Sequence, residues 1–193
     1  MKKSVIILFF LLFSSVQAQP EFVVQEETVE ATINSDATVD ILYHFTIKTT
    51  EGPQRGIYLS IPTGSISNYA ASQSGQSLKV ERERYRLKIW FSKKAQSGDI
   101  TELDVRFTAE GLIYPHEGRL RIDFYPGWWE YQKVDILTVT FVLPEGCSIS
   151  EVDTSPAAET QGMENGKAFI YFERADIALD TDSNTVYPFL KYM

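Results

Sequence analysis

Trp128 and Trp129, with Phe124, Tyr125 and Tyr131 around them, form the densest aromatic cluster in the sequence. Adjacent side chains on a strand point to opposite faces, so one indole can enter a core while the other stands free. A free Trp with a nearby Tyr is a stacking platform for a sugar ring or for a partner's side chain, and these residue types dominate binding hot spots. Pro126 and Gly127 just before the pair predict a bend that re-aims the chain. The competing reading is structural: one core Trp and one rim Trp packed beneath a loop.

A second concentration is electrostatic. Residues 79–94 (KVERERYRLKIWFSKK) hold seven of the 18 basic residues and only two acids, in a chain whose formal charge is −8. With period-2 geometry Arg84, Arg86 and Lys88 share one strand face and form a basic stripe suited to an acidic partner, a glycan or a lipid headgroup. The alternative is a solvated outer face, or an edge strand guarded by charge.

Other chemistry is sparse. His44 and His116 are the only histidines, the first on the polar face of a strand and the second in the turn Tyr114-Pro115-His116-Glu117-Gly118. There is no His-x-x-x-His, no paired cysteine, no Gly-x-Ser-x-Gly and no phosphate loop. Asp180-Thr181-Asp182-Ser183-Asn184 starts like a calcium loop, but Thr185 and Lys191 stand where that loop needs Gly and Glu. No metal or cofactor is expected, and no catalytic residue is assigned. Glu102 and Asp104 share a strand face, as alternating polar residues do by default. Cys147, the single cysteine, reads as a small apolar residue beside the turn Pro144-Glu145-Gly146.

These residues must be carried by strands. Val39, Ile41, Tyr43, Phe45 and Ile47 alternate with Asp40, His44, Thr46 and Lys48, with Leu42 as the exception on the polar side. Leu103, Val105, Phe107 and Ala109 repeat the pattern, as do Leu120, Ile122 and Phe124, then Leu137, Val139, Phe141 and Leu143, and Tyr85, Leu87 and Ile89. Residues 168–172 read as a short strand buried on both sides. Turn signals separate the runs, among them Asn34-Ser35-Asp36, Ser97-Gly98-Asp99 and Glu164-Asn165-Gly166. The expected architecture is all-β, an antiparallel immunoglobulin-like β-sandwich. Residues 63–77 and 155–167 are small and polar and are expected to be loops.

The start of the chain has a different character. Lys2 and Lys3, nine unbroken apolar residues over 5–13, and Val16-Gln17-Ala18 make a secretory signal peptide cleaved after Ala18. An apolar stretch of this length is too short to span a membrane, which takes about 20 residues. Removing residues 1–18 leaves 175 of 193 residues, enough for one domain over 19–180, with 181–193 a tail, an end-strand or the start of a continuation. Loss of Lys2 and Lys3 takes the charge from −8 to −10, which argues against nucleic acid as a partner. The expected location is exported, periplasmic or extracellular.

Residues 29–62 (VEATINSDATVDILYHFTIKTTEGPQRGIYLSIP) resemble the opening of a predicted membrane-protein family known as domain of unknown function 2207. Residues 101–111, 120–129 and 134–144 (VDILTVTFVLP) resemble its later strands in order and spacing. The resemblance implies an extracytoplasmic immunoglobulin-like domain and brings no catalytic residues. Family members often carry Arg where Leu59 stands and continue into transmembrane helices; no stretch after residue 18 is apolar enough for one.

The expectation from all of this is an exported, non-catalytic module that binds a protein or envelope component through Trp128, Trp129 and Tyr131, with Arg84, Arg86 and Lys88 as a second patch. Two alternatives stand beside it: a carbohydrate-binding module using the aromatic platform, and a hydrolase with dispersed catalytic residues.

Overall fold

The alternating runs become strands, because a strand with one apolar and one polar face is stable only when the apolar face is buried. The computed structural model describes residues 21–126, 134–177 and 189–192. In chain order the strands are β1 (Glu21–Ile33), β2 (Val39–Glu51), β3 (Gln54–Ser60), β4 (Ile66–Gln73), β5 (Gln76–Ser77), β6 (Val80–Glu83), β7 (Arg86–Ala95), β8 (Ile100–Ala109), β9 (Ile113–His116), β10 (Arg119–Asp123), β11 (Val134–Val142), β12 (Asp153–Ser155), β13 (Thr160–Glu164), β14 (Lys167–Ile177) and β15 (Phe189–Tyr192). A single 3-10 turn, Ile149–Glu151, is the helical element among them. None of the described helices is long and apolar enough to cross a membrane.

Three sheets result. A large sheet runs β13-β14-β11-β1-β2-β8-β4-β5, a side sheet β12-β15-β10-β9, and a narrow sheet β3-β7-β6. Their inner faces share one hydrophobic cluster, so the architecture is the expected all-β sandwich. Tyr43 of β2 stacks on Phe45, with ring centroids 5.3 Å apart, and lies 5.9 Å from Phe107 of β8. Phe141 of β11 meets Phe172 of β14 edge-on at 6.0 Å, and Phe124, which follows β10, edge-on at 5.7 Å. Phe124 therefore ties the side sheet to the large one, and burying a side chain of this size stabilises by about 1.5–3 kcal/mol.

Leu42 is 45% exposed, so the one apolar residue on the polar side of β2 faces out, as the alternation required. The turn from β1 to β2 is held by Asp36, whose carboxylate accepts from the Thr38 N–H at 3.0 Å and the Thr38 hydroxyl at 2.7 Å. Those two bonds hold the Asp36 carboxyl below the usual carboxylate range.

The structure departs from expectation in four places. First, β1 pairs with β11 in parallel, Val24 opposite Val134 through Thr32 opposite Val142; the other pairings are antiparallel. Second, residues 63–77 and 155–167 are not plain loops. They hold β4, β5 and β13, at or near the margins of the large sheet, where backbone bonds rather than apolar side chains define the strand. β4 also bulges between Ser67 and Ala70, with Asn68 at φ 53°, which breaks its alternation. Third, residues 168–172 belong to a longer strand with one buried face: Ala168, Ile170 and Phe172 point in, while Phe169 and Tyr171 are half-buried. Fourth, Tyr85 lies in a turn and is 55% exposed, apart from the buried Leu87 and Ile89.

Candidate binding surface

The basic run folds into β6, a tight turn and β7, and alternation sorts its side chains. Leu87 and Ile89 point into the core with Ile57 and Leu59 of β3. Arg86, Lys88 and Trp90 point the other way. Across β7, Trp90 lies opposite Gly56, Lys88 opposite Tyr58 and Arg86 opposite Ser60 on β3, while Glu81 faces Lys88 and Glu83 faces Arg86 on β6. The outer face of the narrow sheet is thus a grid of cations, acids and two aromatic rings.

Gly56 makes the close approach of β3 and β7 possible. A Cβ at that position would sit 2.1 Å from the Ile89 carbonyl oxygen. No side chain fits against a carbonyl at that distance, so glycine is required for the register that aligns Tyr58 with Lys88.

The rings and cations interleave. The Arg86 guanidinium lies 4.2 Å from the Tyr58 ring centroid, and the Lys88 ammonium lies 5.4 Å from Tyr58 and 4.2 Å from Trp90. Lys79 lies over Trp90 as well, at 5.9 Å. Each exposed cation–ring contact is worth about 0.5–1 kcal/mol, so the set holds a defined geometry on an open face. Two ion pairs frame it: Lys79–Glu81 and Arg86–Glu83, both at 2.6 Å. Their side chains stay 39–68% exposed. Lys79 holds the Glu81 carboxyl below its ordinary range, helped by the Trp90 N–H and the Lys88 charge. The Trp90 indole nitrogen is itself buried and turned toward Glu81 without closing a hydrogen bond.

The structure brings Arg86 and Lys88 onto one strand face, but Arg84, expected on that face with them, is not part of the strand. Arg84 sits in the turn before β7, its guanidinium 4.8 Å from the Tyr85 ring. Neither Arg84 nor Lys88 closes an ion pair among the described residues. Arg82 points away from the stripe and donates to the Ile66 carbonyl at 3.1 Å and to the Gly64 carbonyl, bracing the start of β4. Trp128, Trp129 and Tyr131 lie outside the described residues, as do the signal peptide and Asp180 to Asn184. Sequence reasoning missed Tyr58 and Trp90. Trp90 continues the Arg86–Lys88 alternation, which was signal enough; Tyr58 joins only through strand pairing.

On the outer face of the large sheet, His44 Nδ1 and Asp104 Oδ1 lie 2.8 Å apart, and the Ser72 hydroxyl donates to Asp104 Oδ2 at 3.4 Å. The carboxylate stands between serine and imidazole, so the Ser72 hydroxyl is not aimed at the base that would activate it. His116 belongs to the side sheet, 3.7 Å from Glu117. Among the described residues no three His, Cys, Asp or Glu side chains gather to hold a metal. Cys147 is half-buried against the core cluster, and burial and the nearby Glu151 charge push its thiol up, disfavouring the thiolate.

No family model matches the chain, and no curated protein matches it. Solved structures do. The chain is similar to a two-domain M1 zinc metallopeptidase mutant bound to L-tryptophan, with TM-score 0.65 and 16% identity. It is similar to the M1 zinc metallopeptidase from Deinococcus radiodurans at the same TM-score and identity. In both cases 88% of this chain is covered but only 42% of the other. The chain spans less than half the length of these peptidases, and at this identity the likeness establishes the fold alone.

Proposed function

We propose that this chain is an exported, non-catalytic β-sandwich module of the bacterial cell envelope that acts by binding a protein or envelope component. The observation that carries the reading is the outer face of the narrow sheet. There Arg86, Lys88 and Lys79 interleave with Tyr58 and Trp90 on a surface that remains open to solvent. Trp and Arg in ordered, partly desolvated positions are the residue types that anchor interfaces. Trp128, Trp129 and Tyr131 form the second proposed contact. The pattern over residues 1–18 supports export, and the resemblance to domain of unknown function 2207 supports an extracytoplasmic setting. The likeness to peptidases adds no catalytic group to this reading.

The test is capture of envelope components by the mature chain, compared with two variants: Tyr58→Ala with Lys88→Gln, and Trp128→Ala with Trp129→Ala. Each variant must first show an unchanged far-ultraviolet spectrum and melting behaviour. Loss of the captured partner in either folded variant is the expected result. Retention of every partner by both folded variants overturns the proposal.

A further inference from the structure

We propose that β13, at the margin of the large sheet, takes up an extended, base-flanked peptide as a further strand, with one of its apolar side chains entering the cavity beside Met163. This surface is separate from the narrow sheet, and its binding does not depend on that face.

An open strand edge selects polypeptide, because its N–H and C=O groups alternate at the spacing of another strand's own. Among the described residues β13 has β14 on one side and no strand on the other. Asn165 and Gly166, at φ 51° and 80°, form the two-residue turn into β14, with Glu164 opposite Lys167. Residues flanking such a turn bond to each other, so Gly162 and Thr160 direct their backbone groups to β14 while Gln161 and Met163 direct theirs outward. The other edges are guarded. β5 and β12 are two and three residues long, and β4 beside β5 is bulged. β9 contains Pro115, β6 carries Glu81, Arg82 and Glu83, and β3 carries Arg55 at a break in its register. β13 has no Pro, no cation and no break in its pairing with β14.

The cavity and its charge narrow the choice of peptide. Met163 lies opposite Ala168 and Gln161 opposite Ile170, and both partners are buried, so Met163 and Gln161 share the inner side of the sheet. Met163 is nonetheless 58% exposed. Together with Cys147, Ile149 and Gly166 it lines a cavity of about 490 Å³. On an added strand, the side chain opposite Met163 would point to that same inner side and into the cavity. Glu145, Glu151 and Glu164 flank the lining residues in sequence and close no ion pair among the described residues. Burial and then the Glu151 charge push the Cys147 thiol up, so negative potential reaches the cavity itself. A second copy pairing β13 with β13 about a two-fold axis would bring two such acidic rims together, whereas Lys or Arg beside an apolar residue complements one.

The experiment screens the mature chain against an array of seven-residue peptides with Val, Ile, Leu or Phe at alternate positions, flanked either by Lys and Arg or by Asp and Glu. Base-flanked peptides are expected to bind, more weakly as salt rises. Methylating the alternate backbone nitrogens of the tightest binder should weaken it about tenfold, because ladder bonds are lost. Gln161→Pro removes one outward N–H, leaves the bonds to β14 in place and should also cost about tenfold. If that variant does not fold, Met163→Lys, which sets an inward-pointing cation on the edge, supplies the same readout. Glu151→Gln with Glu164→Gln should weaken binding about tenfold, and Tyr58→Ala with Lys88→Gln should leave it unchanged. Absence of any bound peptide, equal binding of acid-flanked peptides, equal binding of the methylated peptide, or binding that the Tyr58 and Lys88 changes abolish while the β13 variants spare it, overturns the inference. A dimer that Gln161→Pro dissociates, with no peptide bound, assigns the edge to a second copy and overturns it as well.

Discussion

The Tyr171 hydroxyl donates to the Glu173 carboxylate at 2.7 Å. That bond, then partial burial and the charges of Glu173, Glu159 and Glu26, pushes the Tyr171 phenol up to about 12. An unfolded tyrosine titrates near pH 10, so the folded state holds this proton more tightly. The stabilisation is fully present below about pH 10 and is lost as pH rises through about 12. Replacing Glu173 by Gln removes the charge, and the phenol should return toward 10. The difference in tyrosinate absorbance between the parent and Tyr171→Phe, measured in both backgrounds, reads this directly; an unchanged Tyr171 titration would contradict it. At this scale the sequence was informative about identity and silent about partners. Alternation put His44 and Asp104 on polar faces, but only the register of β2 against β8, His44 opposite Asp104, makes them a bonded pair.

Gly56 shows how one element can depend on a missing atom. β3 and β7 approach so closely that an added Cβ meets the Ile89 carbonyl oxygen at 2.1 Å. Backbone cannot yield as a flexible side chain would, so Gly56→Ala should destabilise by about 3 kcal/mol, in the range of overpacked sites. Chemical denaturation should show a lower midpoint with a similar slope. The register of Tyr58 against Lys88 should loosen as well, and a variant as stable as the parent would rule out this account. Elements with a buried face were legible for a plain reason: burial on one side imposes period two, as in β2, β8 and β11. β4 and β13 were not. Asn68 bulges the first, and Thr160-Gln161-Gly162-Met163-Glu164 buries no side chain fully, so backbone pairing with β14 alone makes it a strand. The basic run alternates only from Arg86 onward, because Arg84 and Tyr85, read as part of the strand, form the turn before it; its aromatic partner Tyr58 comes from another strand and has no signature near residues 84–90.

For the whole molecule, Phe141 is the side chain on which the sheets converge. It is fully buried, and its ring meets Phe124 beside the side sheet and Phe172 in the large one. Phe141→Ala removes the contacts of both pairs at once and should cost about 3–5 kcal/mol. Loss of more than that, or a folded variant unable to keep the Phe124 end of the side sheet ordered, would show in thermal melts and amide exchange. A cost below about 1 kcal/mol would mean the interface repacks. The all-β class was readable from composition and turn spacing. The sheet order was not, because nothing local in β1 states which distant strand will lie beside it.

That order has a kinetic consequence. β1 lies between β2, which follows it after a short turn, and β11, with Thr28 bonded to Thr138 across 110 residues of sequence. Until the chain through Val142 is available, one edge of β1 has no neighbour, and its N–H and C=O groups are open to any passing strand. The large sheet can be completed only after long-range closure, a topology of the kind that slows folding. A strand on the N-terminal side of the described residues is thus among the last to be secured on both sides.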